Sequence, residues 1–168
     1  MRLITDYKEI DETRQYMKFA AIEAGKSKCK KSQRGVVIGK AKKEVRTVTI
    51  EDIIGTGYNK PLIEELCDPC IRENIKDNSR VELCPAIHAE QMAIIKAVRP
   101  LTGLTMYHIK VKDGTMRTSG KPSCTVCSRI ILESGISEFV LWHEEGYVAY
   151  DSEEFNKLSF DYFNLKQP

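Results

Sequence analysis

The sequence predicts an α/β fold in three layers, with helices on both faces of a mixed, partly parallel sheet of about five strands. Three observations predict it. Apolar residues fall at helical spacing near the N-terminus, at strand spacing next, and in alternating strand and helix segments after residue 88. No internal repeat or low-complexity linker divides the chain. Its 168 residues are enough for one compact domain with a core and too few for two ordinary ones. The organisation expected is a single domain over residues 1–168 with a cysteine-containing insertion at about 61–84.

The elements follow in order. Residues from Tyr7 to Lys26 place Ile10, Met17, Ala20, Ala21 and Ala24 near helical spacing, with acids early and lysine late, as the helix dipole prefers. Val36-Val37-Ile38, bracketed by Gly35 and Gly39, reads as a buried strand, and Arg46 to Ile54 as its pair. Gly55-Thr56-Gly57-Tyr58-Asn59-Lys60-Pro61 reads as a turn that breaks the sheet. Residues 61–84 are polar, with a weak helical pattern. From His88 to Val98 a helix is expected, stopped by Pro100. Leu104 to Val111 alternates as a strand, Cys124 to Ser134 reads as a helix ending at Gly135, and Phe139 to Trp142 as a strand. Phe155, Leu158 and Phe163 mark a closing helix.

Composition narrows the partners. Hydrophobic residues make up 42% and charged residues 30%, an ordinary globular balance. A net charge of +2 and a pI near 8.2 leave no strong electrostatic footprint. The run Lys28, Lys30, Lys31 is too short for a basic stripe, which argues against a nucleic-acid partner. No apolar run follows Met1-Arg2, and no stretch approaches a membrane span, so a cytoplasmic location without membrane contact is expected. In that reducing compartment six cysteines point to metal ligation or redox chemistry before disulfides.

Two short patterns carry the chemistry: His88-Ala89-Glu90 at one helix start and Cys124-Thr125-Val126-Cys127 at the next. Cysteines at i and i+3 share a face of a helical turn, so both sulfurs can reach one ion. A helix N-terminus also favours the thiolate that binds zinc. With His88 the set offers three ligands and leaves a fourth position open, the mark of a catalytic zinc. Glu90 can face a bound water without ligating. Alone, the histidine pattern is a common surface accident, and the Cys-x-x-Cys is as readily a thioredoxin-like pair. Their combination at successive helix starts is the signal.

On these residues the sequence resembles the cytidine and deoxycytidylate deaminase superfamily, whose His-x-Glu and Pro-Cys-x-x-Cys signature is a documented pattern. The resemblance runs from about residue 13 to 165. It includes Lys28-Cys29-Lys30-Lys31-Ser32-Gln33-Arg34-Gly35-Val36-Val37-Ile38, Gly57-Tyr58-Asn59, Glu82 to Gln91, Gly135-Ile136 and Val140-Leu141-Trp142. It implies a cytidine-deaminase-like fold and a small-molecule nucleotide substrate, most simply dCMP converted to dUMP and ammonia. Glu90 would move the protons on a zinc held by His88, Cys124 and Cys127. It also implies that Asn59 hydrogen-bonds the sugar, that the Ala89 N–H meets the pyrimidine carbonyl, that Tyr147 packs near the base, and that the chain forms a homo-oligomer.

Cys67, Cys70 and Cys84 resemble part of a second, structural zinc site, with Cys29 as a fourth thiolate; such a metal would organise the polar insertion. Lys60 and Arg129, near a site loop and a helix start, are candidate phosphate partners. Ser123 separates Pro122 from Cys124, Lys60 follows Gly-Tyr-Asn where the family has glycine, and Met92 stands where deoxycytidylate deaminases carry asparagine. His-Ala-Glu-x-Met is nearer to the transfer-RNA adenosine deaminases. Two alternatives therefore stay open: deamination of another amine-bearing base, and a non-catalytic zinc module.

Overall fold

The first helix begins where side-chain chemistry caps it. In the computed structural model, which describes residues 1–75 and 81–164, a short strand β1 (Arg2–Leu3) leads to α1 (Tyr7–Gly25). Asp6 Oδ1 accepts hydrogen bonds from Lys8 N (3.0 Å) and Glu9 N (3.1 Å), two donors that the first turn leaves without partners. Tyr16, Met17, Ala20 and Ala24 lie on one face at helical spacing, and that face is buried.

The chain continues through β2 (Gln33–Gly39), β3 (Ile53–Tyr58), β4 (Lys60–Pro61), β5 (Ala86–Ile87), α2 (Ala89–Ile95), β6 (Thr105–Lys112), β7 (Thr115–Arg117), α3 (Thr125–Glu133), β8 (Glu138–His143), β9 (Gly146–Asp151) and α4 (Ser152–Asn164). The main sheet runs β1-β9-β8-β6-β2-β3, with β7 added beside β6, while β4 and β5 form a separate pair. Only β6 and β8 are parallel; the other pairs in the described sheet are antiparallel. The sheet is mixed and partly parallel as expected, but wider than the five strands anticipated.

Alternation along the strands builds a core on each face. Val37, Tyr107, Ile109 and Val140 pack against α1, and Tyr16 stacks on Tyr107 at 4.4 Å between ring centroids. Val36, Ile38, Met106, Phe139 and Leu141 point the other way, toward α2, α3 and Phe155 of α4. This is the three-layer arrangement, and it puts the starts of α2 and α3 over the same sheet face.

Two readings of local chemistry are corrected. The second strand is not Arg46–Ile54 but Ile53–Tyr58, preceded by a single helical turn at Ile50–Asp52. The Gly-Thr-Gly read as a turn lies inside this strand. Gly57 is needed there because a Cβ would stand 2.2 Å from the Ala89 carbonyl oxygen and 2.5 Å from Ala93 N. The glycine serves close approach of α2 to the sheet.

The strands missed by pattern are short or hairpin-linked. Asp113 (φ 51°) and Gly114 (φ 69°) form the two-residue turn that returns β6 into β7, with positive φ at both positions as a type I′ turn requires. Strand β9 returns from β8 through Glu144-Glu145, with His143 opposite Gly146. The expected closing helix is present, although the side chain of Phe163 lies outside the described residues, as do residues 76–80 of the insertion. The remainder of the insertion holds helical turns at Glu64–Cys67 and Val81–Leu83.

The loop after β2 is held from below. Glu12, 1% exposed, accepts hydrogen bonds from Lys42 N (3.1 Å) and Lys43 N (2.8 Å). The loop's far end is tied down by Gln15, which accepts from Val48 N (2.7 Å) and donates to the Arg46 carbonyl (2.9 Å).

Candidate metal and deamination centre

His88 is the N-cap residue of α2, and its backbone N–H is satisfied by the Gln91 side chain at 3.0 Å, which leaves the imidazole free to point into the protein. Cys124 caps α3 through its own side chain: its sulfur accepts from Cys127 N at 3.2 Å. The two helix starts bring His88 Nδ1 to 3.0 Å from Cys127 Sγ and 3.4 Å from Cys124 Sγ, with the two sulfurs 2.7 Å apart. Among the described residues this is the one group of three such side chains with ligand atoms close enough to share an ion.

The donor set fits zinc. Tetrahedral zinc with bonds of about 2.3 Å to sulfur and 2.0 Å to nitrogen needs its ligand atoms roughly 3.5–3.8 Å apart, so opening these contacts by about an ångström suffices. The charge balance points the same way. The sulfurs of Cys124 and Cys84 push the His88 pKa up to about 10, and the Cys127 thiol together with His88 pulls Cys124 down to about 6. A positive charge is thus already favoured between thiolate and imidazole, where a cation would bind.

Glu90 lies in the first turn of α2, 9% exposed. Its Oε1 is 3.9 Å from Nε2 of His108, which β6 presents from the sheet. Burial pulls the His108 pKa down to about 4 and Glu90 only partly opposes this, so the imidazole is neutral at pH 7. His108 is 5% exposed, and among the described residues its Nδ1 has no hydrogen-bond partner. Burial would raise the Glu90 carboxyl, yet the cationic side of the site outweighs it and holds the carboxyl below its ordinary range. The opposing influences are His108 first, then His88 and the Arg34 guanidinium.

His88, Ala89, Glu90 and Cys124 open onto one cavity of about 340 Å³, floored by His108, Phe139 and Leu141. This is room for a nucleotide-sized ligand. An ionised carboxylate beside an open-sided zinc site at the end of such a cavity can shuttle protons between water and a bound heterocycle.

The chain carries a family signature as well as this geometry. Residues 10–143 match the model of the cytidine and deoxycytidylate deaminase zinc-binding region. The chain belongs to that deaminase family. A deoxycytidylate deaminase of Saccharomyces cerevisiae is 32% identical over 146 residues, covering 85% of this chain. The chain spans 40% of the length of that relative. Among solved structures, a dCMP deaminase from the cyanophage S-TIM5 shares 18% identity at a TM-score of 0.47, over 77% of this chain and 80% of that one. A cytidine deaminase from Mycobacterium tuberculosis shares 14% at 0.38, over 76% and 82%.

The deaminase-family residues expected elsewhere fall into three groups. Asn59 and Ala89 line the cavity. Asn59 is engaged with the backbone: its Oδ1 accepts from Arg34 N (2.7 Å) and its Nδ2 donates to the Ser32 carbonyl (2.8 Å). Tyr147 is a correction. It lies on the α1 face of the sheet, 6.3 Å from the Trp142 ring, because odd positions of β9 point away from the cavity. Lys60 pairs with Ile87 in the small β4–β5 ladder, and Arg129 is exposed, with its Nε donating to the Thr125 carbonyl (3.1 Å); neither lines the cavity.

Cys29, Cys67, Cys70 and Cys84 line the cavity's outer end. Among the described residues no three of them bring their sulfurs within reach of one ion, so the expected closed site is not assembled. Cys84 instead hydrogen-bonds the His88 ring, which pulls its thiol down to about 7. All six cysteines are free. Among the described residues no helix is long and apolar enough to cross a membrane. Among the cavity residues that sequence reasoning missed are His108, Arg34 and Lys110. Each sits in a strand read only for its apolar residues.

Proposed function

We propose that the chain catalyses zinc-dependent hydrolytic deamination of a cytosine nucleotide, dCMP to dUMP and ammonia. The observation that carries this reading is the placement of Glu90 beside a three-ligand metal set at the end of a nucleotide-sized cavity. The family match over residues 10–143 and the name of the yeast relative support the substrate.

Zinc on His88, Cys124 and Cys127 would lower the pKa of water in the fourth position toward neutrality. Glu90 takes a proton from the attacking water and delivers it to the ring nitrogen, so that oxygen adds at C4. The carboxylate then takes the proton of the new C4 hydroxyl and gives it to the exocyclic amine; the C4–N bond breaks, ammonia leaves and the C4 oxygen becomes the uracil carbonyl, so that water and cytosine become uracil and ammonia. Its burial keeps bulk water from competing for those protons. In this reading the Ala89 N–H would meet the pyrimidine carbonyl, and Asn59, which also lines the cavity, would offer its remaining amide hydrogen to the sugar.

The same reading gives the four outer cysteines a second zinc. In its support, burial and then the neighbouring Cys84, Cys70 and Cys29 push the Cys67 thiol up, which sets the four sulfurs near one another where a shared cation would favour their thiolates. It also makes the chain one domain and a homo-oligomer, in keeping with the exposed Leu62, Ile63 and Leu66 of the insertion. Six free cysteines accord with the cytoplasm.

The test is ammonia release from dCMP, CMP, dCTP, deoxycytidine, cytosine and an adenosine stem-loop, with zinc measured on the same sample. Selective turnover of dCMP with about two zincs per chain is the expected result. Turnover of the stem-loop alone would move the substrate to RNA. One zinc would remove the second site, and bound zinc without any turnover would leave a binding module.

A further inference from the structure

Strand pairing stacks three cations in one row. In the β2–β6 ladder Arg34 is directly opposite Lys110, and in the β6–β7 ladder Lys110 is directly opposite Arg117. Residues directly opposite share a face of the sheet, and like charges so placed repel. The face is the one that carries His108, because 108 and 110 are two residues apart on β6. Arg34 and Lys110 both line the cavity that holds Glu90.

The row has no internal counter-charge. Among the described residues neither Arg34 nor Lys110 lies within ion-pairing distance of a carboxylate; Arg34 Nε donates to the Ser32 hydroxyl at 2.8 Å. Burial pulls the Lys110 ammonium down, and Arg34, Lys112 and Arg117 add to the effect. Burial likewise lowers Arg34, with Glu90 only partly opposing it. Two half-sheltered cations face to face, with the net charge of the whole chain only +2, make a local excess that an anion would relieve.

We propose that Arg34 and Lys110 receive the phosphate monoester of the substrate, with Arg117 at the outer end of the row drawing it in. This rests on the reading of the chain as a nucleotide deaminase, and it moves phosphate recognition from Lys60 and Arg129 to the β2–β6 strand pair. A guanidinium fork and a point ammonium on adjacent strands, about 4.8 Å apart, can hold separate oxygens of one phosphate. The position also explains why Asn59 grips the backbone on both sides of Gln33: it fixes the strand end from which Arg34 projects.

The experiment compares the full zinc-loaded protein with Arg34→Met and Lys110→Met, which keep the aliphatic stems. Each is assayed for kcat/KM on dCMP and on deoxycytidine, and for the Kd of dUMP and of deoxyuridine by calorimetry. Each variant should lose about 10- to 100-fold on dCMP and in dUMP affinity, the worth of a charge-assisted hydrogen bond, while the phosphate-free partners change less than about twofold. Equal losses with and without phosphate would overturn the inference, because they indicate damage to the pocket. Unchanged dCMP turnover and dUMP affinity would overturn it directly.

If the wild-type protein deaminates neither substrate, the reading of its function fails separately. The dUMP and deoxyuridine affinities then still decide whether this strand pair binds phosphate.

Discussion

Replacing Gly57 by alanine tests whether the approach of α2 to the sheet sets the geometry of the metal centre. The added Cβ would stand 2.2 Å from the Ala89 carbonyl oxygen, whereas ordinary contact begins at 3.4 Å. The backbone of α2 must therefore retreat by about 1.2 Å, since the obstructing atoms are main chain. His88, Ala89 and Glu90 are the first residues of that element and would move with it. A displacement of about 1 Å in a reacting constellation costs on the order of 10²-fold in rate. Overpacking of this kind costs about 1–3 kcal/mol, and at about 2–4 °C per kcal/mol the Tm should fall by roughly 2–12 °C.

The assay is steady-state ammonia release with bound zinc and Tm measured on the same preparation. Gly25→Ala is the control: nothing lies within 4 Å of a Cβ there, so stability should hold or rise slightly and activity should stay unchanged. A Gly57→Ala protein with wild-type turnover, zinc and Tm would refute the argument that this glycine positions the site.

Three further substitutions separate chemistry from scaffold. Glu90→Gln should retain zinc, because the carboxylate is not among the three ligands, and lose at least about 10²- to 10⁴-fold in turnover; normal activity would end the proton-shuttle assignment. Glu12→Ala should destabilise by about 1–3 kcal/mol in denaturant melts, since it strands the Lys42 and Lys43 N–H groups beside a buried site, with little effect on KM. Asp52 is held well below the usual carboxylate range by hydrogen bonds from Arg46 and from Thr49 N. Its contribution should be full above a pH of about 4 and fade as pH falls toward the folded value, so the Tm gap between wild type and Asp52→Asn should be widest near neutrality and close in acid.

The metal centre was legible because its logic is local: ligand spacing within a helical turn and two helix starts following strands. His88, Glu90, Cys124 and Cys127 need no knowledge of distant packing beyond that order. Tyr147 failed for a matching reason. Its role depended on the face of a strand, and a one-residue shift in parity sends a side chain to the other layer. Gly55-Thr56-Gly57 was read by its turn propensity, but tertiary contact with α2 decides that segment. Arg34 could not be found from its own strand, since its meaning comes from Lys110, which is 76 positions away in sequence and directly opposite in the sheet. The additional strands are short or hairpin-linked, and their existence depends on neighbours that only the folded sheet supplies.

Two of the three metal ligands, His88 and Cys124, are also the caps of helices, and this links folding to zinc supply. Helix α2 has seven residues, too few to persist alone in water, and His88 is its N-cap. An ion joining His88 to Cys124 and Cys127 buckles the starts of α2 and α3 together, so it binds the folded chain far better than the open one. Once free zinc exceeds the dissociation constant, each further tenfold rise adds about 1.4 kcal/mol to stability. In a cell short of zinc, this protein would lose that increment of stability, and its abundance would fall with the metal supply.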